Sequence, residues 1–600
     1  MINKNGAFSA EKQKGNLLMK KFLVILMAVC MLASMLCISA FAAESTAVMK
    51  VQYGSEVKEF SNFEDGWNYA MEQANGKKEV YVTLLADWIA VDGCFSDDFI
   101  NGDGFSSDTI YFNDDVTMTL DLNGHTIDRG LTVSEIDGEV IFINDDANVT
   151  IKNGTIKGGY SNNGAGGIHI EGANVSLIDL VFTGNSVHND DGAALQHVGG
   201  GELYMKNCRF VGNDGSPDGF DIFGTVYLNS VDKVLIEDCY FADNDNIDYG
   251  AGIYADTCND FVIKNSTFEN LHVGDRGGAI WVSGELIDDV GFSRLYIYNC
   301  KFNNNSCGNY GGAIYAKLAE VHAYDTEFKG NYSDVDGGAI YLNANMVHSG
   351  SAPSYFYRCT FDGNCASEDG GAICCSATHT MLTRANTYGC DFINNSAGED
   401  GGAVYLAGDC PFYFSSDAET GKAGTIKNNS AGELGGGVYQ GRNAPIFFVG
   451  EIYASENVSS MENDDIYITS GYSMRIGKIT SPEGSIGIRY KNDDGCRLEN
   501  INDENKDLNT KVFFFNNEGL EIIRSEYRYS NLDDTMIPCF AIAKKSSAVG
   551  SIFGEGSLTM ILALLALIAS GVSIFLTVYY NKKKVVPVAA NNVTEAEDEE

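Results

Sequence analysis

Along most of the chain, apolar residues alternate with polar ones in short stretches, as in Leu295-Tyr296-Ile297-Tyr298, Phe261-Val262-Ile263 and Val231 to Ile236. The stretches are rich in β-branched and aromatic residues, and none sustains a 3.6-residue apolar period. They predict short strands with one buried face. Near the start the pattern differs: Trp67, Ala70, Met71 and Ala74 fall at helical spacing and predict a helix before a first strand at Thr83-Leu84-Leu85.

Two small motifs recur in fixed phase. One is F-x-x-N, at Phe302 to Asn305, Phe328 to Asn331, Phe361 to Asn364 and Phe392 to Asn395, with earlier copies at Phe182, Phe210 and Phe241. Phe268 departs from it, with Leu271 in place of Asn, and Ile426 to Asn429 is a variant. The other is a glycine pair followed by an alternating run: Gly311-Gly312-Ala313-Ile314-Tyr315, Gly337-Gly338-Ala339-Ile340-Tyr341, Gly370-Gly371-Ala372-Ile373-Cys374 and Gly401-Gly402-Ala403-Val404-Tyr405. From Phe241 to Ile426, every anchor lies nine residues before its first Gly, and the gap after the glycine motif absorbs all changes of length. A constant arc with a variable loop is the signature of a stacked coil.

Strands recurring about every 30 residues with no helix between them predict an all-β fold, a right-handed parallel β-helix solenoid with one coil per repeat. In that geometry the Phe points inward and stacks on the Phe of the next coil. The Asn sits at a bend and bonds its counterpart one coil away. The Gly pair supplies positive φ or close backbone approach. The position two before each anchor reads Cys208, Cys239, Ser266, Cys300, Thr326, Cys359, Cys390, a column of small side chains. It predicts core thiols, while Cys307, Cys365, Cys374 and Cys375 lie off it and are expected to pair or sit in loops.

The paired F-x-x-N and G-G-A-I/V motifs, over residues 182–440, resemble the repeats of the chlamydial polymorphic outer-membrane proteins. Those are surface β-helix proteins associated with adhesion, and the resemblance implies a similar role. That family ends in an autotransporter barrel, whereas this chain ends in a single apolar run. Upstream, Leu120 to Ile127 and Val149 to Ile156 look like the first coils of a pectate-lyase-like β-helix.

The termini predict an address. Lys20, Lys21, the apolar run Phe22 to Phe41 and Ala40-Phe41-Ala42 read as a signal peptide over 1–42. Leu558 to Tyr579, followed by Lys582, Lys583 and Lys584, reads as one transmembrane helix with a cytoplasmic acidic tail over 580–600. Between them fall an N-terminal cap with the first strands (43–114), the β-helix (115–540) and a linker (541–557). The expected protein is a single-pass cell-membrane protein with its N-terminal part outside.

A net charge of −42 excludes nucleic acid as a partner, since phosphates would be repelled. Acidic residues gather just before the glycine pairs, among them Asp334, Asp336, Glu368, Asp369, Glu399 and Asp400. Stacking places them on one edge, read as a solvated acidic face. Asp336, Asp369 and Asp400 are weak Ca²⁺ candidates; no other cofactor is expected. Asp214 to Asp221 is a weaker candidate still. His188 and His197 flank an irregular coil in which Gln196 and His197 take the aromatic position. No catalytic residue is assigned, because the acidic pairs track the repeat. The expected function is a non-enzymatic adhesin or interaction rod. It would bind glycans or proteins through its lateral faces, the loops 282–294, 342–354 and 374–389, and aromatics such as Tyr249, Tyr310 and Tyr332. The alternatives are a surface polysaccharide lyase or hydrolase and a passive envelope spacer.

Overall fold

The computed structural model describes residues 47–75, 79–90, 109–131, 138–215, 221–284, 293–344, 350–377, 381–408, 410–441, 444–460, 462–469, 474–491, 497–500, 506–516, 520–528 and 536–544. The expected signal peptide, membrane span and tail lie outside these residues, as does most of the linker. Among the described residues no helix is long and apolar enough to cross a membrane.

The repeat winds as a parallel β-helix. One coil runs through Arg294–Tyr298, Lys301–Asn303, Ser306–Cys307 and Ile314–Lys317. The next repeats it with Glu320–Tyr324, Glu327–Lys329, Tyr332–Ser333 and Ile340–Ala344. Leu295 pairs with Val321, Phe302 with Phe328 and Ile314 with Ile340, all in parallel. We call the faces built by the first, second and fourth of these strands the first, second and third faces. The third face continues in register from Ile110–Phe112 to Ile466–Ile468. Upstream, Leu120 pairs with Ile151, so the two early coils stand in the same stack.

Alternation buries one side of the first- and second-face strands, as in Arg294–Tyr298 and Lys301–Asn303. Phe302, Phe328, Phe361 and Phe392 are fully buried, with ring centroids 4.9, 4.8 and 4.7 Å apart and nearly parallel planes. The Asn file is equally regular. Asn305, Asn331, Asn364 and Asn395 are fully buried. Each side-chain amide donates to the Oδ1 of the next Asn at 2.9–3.0 Å. Each also donates to a Phe carbonyl, as Asn331 does to Phe302 at 2.9 Å. Leu271 interrupts the file, and its N–H still donates to Asn305 Oδ1 at 3.2 Å. At the far end Asp465 replaces Asn and accepts from Asn457.

The glycine pair divides its work. Gly311, Gly337, Gly370 and Gly401 have φ between +68° and +74°, where a Cβ is strained. Gly312, Gly338, Gly371 and Gly402 instead press backbone on backbone; a Cβ on Gly371 would run into the Gly402 carbonyl.

Several expectations are corrected. Strands Ile340–Ala344 and Gly350–Tyr357 take up the described part of what reads as loop 342–354, and Ile373–Ala377 with Met381–Tyr388 most of 374–389; residues 345–349 and 378–380 lie outside the described residues. Cys307, Cys374 and Cys375 are buried free thiols in strands, and Cys365 is a half-buried free thiol in another. Cys374 and Cys375 cannot bond each other, because neighbours along a strand point to opposite faces. Residues 541–544 complete the strand Met536–Lys544 of a small antiparallel sheet, so the linker cannot begin at 541. Before the first parallel strand stands an unpredicted hairpin, Met49–Tyr53 with Glu56–Phe60. Between it and Val80–Leu84 lies the predicted helix, Phe63–Ala74, with Trp67, Ala70, Met71 and Ala74 buried.

Candidate functional site

With the interior filled, chemistry is confined to the outward positions. Asp336, Asp369 and Asp400 each precede a positive-φ glycine and are half-buried. They do not form a solvated face. Asp336 Oδ1 accepts the Asp369 N–H at 3.1 Å, Asp369 Oδ1 that of Asp400 at 3.0 Å, and Asp400 Oδ1 that of Leu434 at 2.9 Å. The tight turn leaves one backbone N–H per coil without a strand partner, and the carboxylate below supplies it. Burial, with the negative charges nearby, pushes the three carboxyls up to about 7, 6 and 7. Glu368, Glu399 and Glu433 form the exposed edge beside them. Among the described residues no group of three or more His, Cys, Asp or Glu is placed to hold a metal ion. Of Asp214 to Asp221, residues 216–220 lie outside the described residues, and Asp214 Oδ1 accepts from Asn246 at 2.7 Å.

Outward on the third face runs an aromatic file through Tyr254, Trp281, Tyr315 and Tyr341, with Cys374 next and Tyr405 after it. Tyr254 stacks on Trp281 at 4.1 Å, and Tyr315 on Tyr341 at 5.6 Å. Tyr310 tilts against Tyr341 at 4.7 Å with the Arg276 guanidinium above it, and Tyr249 packs on Phe223 at 4.9 Å. Tyr249 and Tyr310 therefore spend ring surface on the protein itself. Tyr332 is 37% exposed, and its hydroxyl donates to Asp334 at 2.7 Å.

The first face carries a feature the motif reading passed over. Tyr298, Tyr324, Tyr357 and Tyr388 stack outward at 4.8, 4.9 and 4.6 Å, with planes within 11° of parallel. Two residues earlier, Tyr296, His322 and Tyr355 form a second file at 4.9 Å spacing. All seven are half-buried. The rings of the first file are stacked along the rod, and those of the second are tilted by 49° and 45° to one another. Charges around them are internally matched: Arg294 pairs with Glu320 at 3.1 Å, and Arg358 grips Asp325 at 2.7 and 2.8 Å and Asp417 at 3.1 Å. On a strongly acidic molecule this is a broad tyrosine surface flanked by ion pairs. The signal was available, since Tyr298, Tyr324, Tyr357 and Tyr388 each lie four residues before a Phe.

One coil breaks the repeat. Gln196 takes the outward aromatic position, whereas His197 points inward, in register with Leu228. The correction follows from alternation: adjacent residues cannot share a face. His197 is fully buried, with the Gly200 backbone and the His169 imidazole as its polar neighbours. His169, outward beneath Gln196, is 8% exposed. Burial lowers both imidazoles to about 4. Asp190 organises the turn, accepting from Gly164 N–H at 2.8 Å and Gln196 Nε2 at 3.0 Å. Asp191 accepts the Phe223 N–H at 3.0 Å, and burial raises it to about 7. His188 stacks on Tyr160 at 6.4 Å.

Comparison with known proteins yields no match among curated proteins and none among solved structures. A family model described as right handed beta helix region matches residues 118–247 and 224–418, half of the chain. The fold is consistent with the pectate-lyase-like superfamily. With that coverage and the coil geometry in agreement, the chain belongs to the right-handed β-helix family.

Proposed function

We propose that the protein is a membrane-anchored surface rod that binds an extracellular protein or glycan without turning it over. The observation that carries this reading is the doubled tyrosine file of the first face, Tyr298 to Tyr388 beside Tyr296 to Tyr355. It offers a broad tyrosine surface flanked by ion pairs. The carboxylates before the glycine pairs bond the next coil and so are engaged in the scaffold. The likeness of the motif pair to adhesion-associated surface repeats supports the same reading. On it, residues 1–42 direct export, 558–579 anchor the rod, and helix Phe63–Ala74 closes its outer end, as solenoids require.

A second reading, a pectate-lyase-like polysaccharide enzyme, is favoured by the off-repeat coil, where His169 and Asp190 stand beside Asp191, a carboxylate that also bonds the next coil as the ladder acids do. An array of polysaccharides, glycans and surface proteins, probed with the soluble portion 43–550 and scored for retention and for new chain ends, separates the two. Retention without new reducing or unsaturated ends supports the rod; new ends support the enzyme; neither outcome leaves the spacer.

A further inference from the structure

We propose that the Asp336–Asp369–Asp400 file is a proton-operated clamp, holding consecutive coils together more tightly as the surroundings acidify. The geometry makes the file a unit. Each carboxylate accepts one backbone N–H from the coil above, at 3.1, 3.0 and 2.9 Å, and each is half-buried. Like charges one coil apart, about 4.8 Å, cannot all stay ionised when partly desolvated.

The surroundings add to the repulsion. Asp336 faces Asp369, Glu368 and Glu399; Asp369 faces Glu399, Glu368 and the Tyr405 hydroxyl; Asp400 faces Asp369, Glu433 and Glu399. Tyr310, Tyr341, Cys374 and Tyr439 complete the wall and are neutral near pH 7, burial raising each. The cation on this flank, Arg276, is engaged with Asp275 at 3.4 Å and with the Tyr310 and Tyr315 rings. A protonated carboxyl keeps its Oδ1 acceptor for the N–H above and loses its repulsion, so proton uptake leaves the ladder intact and unstrained.

The sign follows from carboxyls raised to about 7, 6 and 7 in the fold. The folded chain holds protons that the unfolded chain has released. The contribution is fully present below the unfolded carboxyl range and is lost as pH rises through 6 to 7.

The test is the full chain carrying Asp336→Asn, Asp369→Asn and Asp400→Asn together, since Asn retains the Oδ1 acceptor without the charge. Melting temperatures across pH 5.5 to 8.5 are compared with the parent. The clamp predicts a variant several degrees more stable at pH 8.5, with the gap closing toward pH 5.5. A constant gap, or none, overturns it. Should the triple variant not fold, infrared difference spectra of the parent and of Asp369→Asn decide: a protonated-carboxyl band at pH 6 that disappears by pH 8.5 and is weaker in Asp369→Asn is expected, and an equal band in both, or none at pH 6, overturns the clamp.

Discussion

Asn331 and Asn364 are joined twice. Both the backbone N–H and the side-chain amide of Asn331 donate to Asn364 Oδ1, at 3.0 and 2.9 Å. Asn364 in turn donates to Asn395 Oδ1 and to the Phe328 carbonyl, each at 2.9 Å. One buried side chain thus satisfies groups on both neighbouring coils and ties three coils together.

Replacing it leaves several of those groups buried and unpaired, at roughly 1–3 kcal/mol each. Asn364→Ala is expected to lose about 4 kcal/mol, read as a fall in denaturation midpoint. Asn364→Leu should cost less, because Leu271 already occupies the equivalent place in another coil and fills the volume. Equal stability of Asn364→Ala and the parent would mean that the Asn file is not a structural tie.

The two kinds of glycine predict a contrast. At Gly371 an added Cβ meets the Gly402 and Ser396 carbonyls, backbone atoms that cannot step aside. At Gly363, φ is +66° but nothing lies within 4 Å. Gly363→Ala is expected to cost about 1 kcal/mol from left-handed strain alone. Gly371→Ala should prevent the neighbouring coils from closing, seen as lost hydrogen-exchange protection on the Cys365 to Ala403 backbone.

The inward imidazole of His197 makes its coil acid-labile. Its neutral form is favoured in the fold, with the imidazole lowered from 6.5 to about 4 by burial. That stability is present above pH 6.5 and is lost as pH falls toward 4, worth about 3 kcal/mol at most. His197→Leu matches the Leu228 position beneath the same face. It is expected to leave the pH 7.5 melting temperature near or above the parent's and to raise that at pH 4.5 by several degrees. A melting profile parallel to the parent's would show that His197 is not the acid-sensitive group.

Much of this architecture can be read from the chain because its determinants are local and repeat in fixed phase. Phe302, Asn305 and Gly311 specify an inward ring, a bonded bend and a left-handed turn within ten residues, and the next coil restates them. What the motif reading passed over lies outside that constant arc. Tyr324 and Tyr357 keep a fixed four-residue spacing to their anchors, but Lys206, Glu237 and Lys264 take that place in earlier coils, so the tyrosine column is no part of the motif. Asp369 reads as an exposed acid because its partner, the Asp400 N–H, is 31 residues away. The inward turn of His197 depends on strand parity, which this coil leaves unmarked because it reads Gly192-Ala193-Ala194-Leu195-Gln196 in place of the glycine pair and aromatic.

The recognition surface itself offers the most direct test. Tyr324 and Tyr357 stack at 4.9 Å in the middle of the first face, outside the buried core. Once the array identifies a retained protein or glycan, its affinity is measured for the parent and for Tyr324→Ala with Tyr357→Ala, with circular dichroism confirming an unchanged coil. The rod reading predicts a loss of at least about tenfold, as removal of central aromatic contacts produces, with no cleavage in either protein. Undiminished affinity in the double variant, or release of new chain ends by the parent, would contradict it.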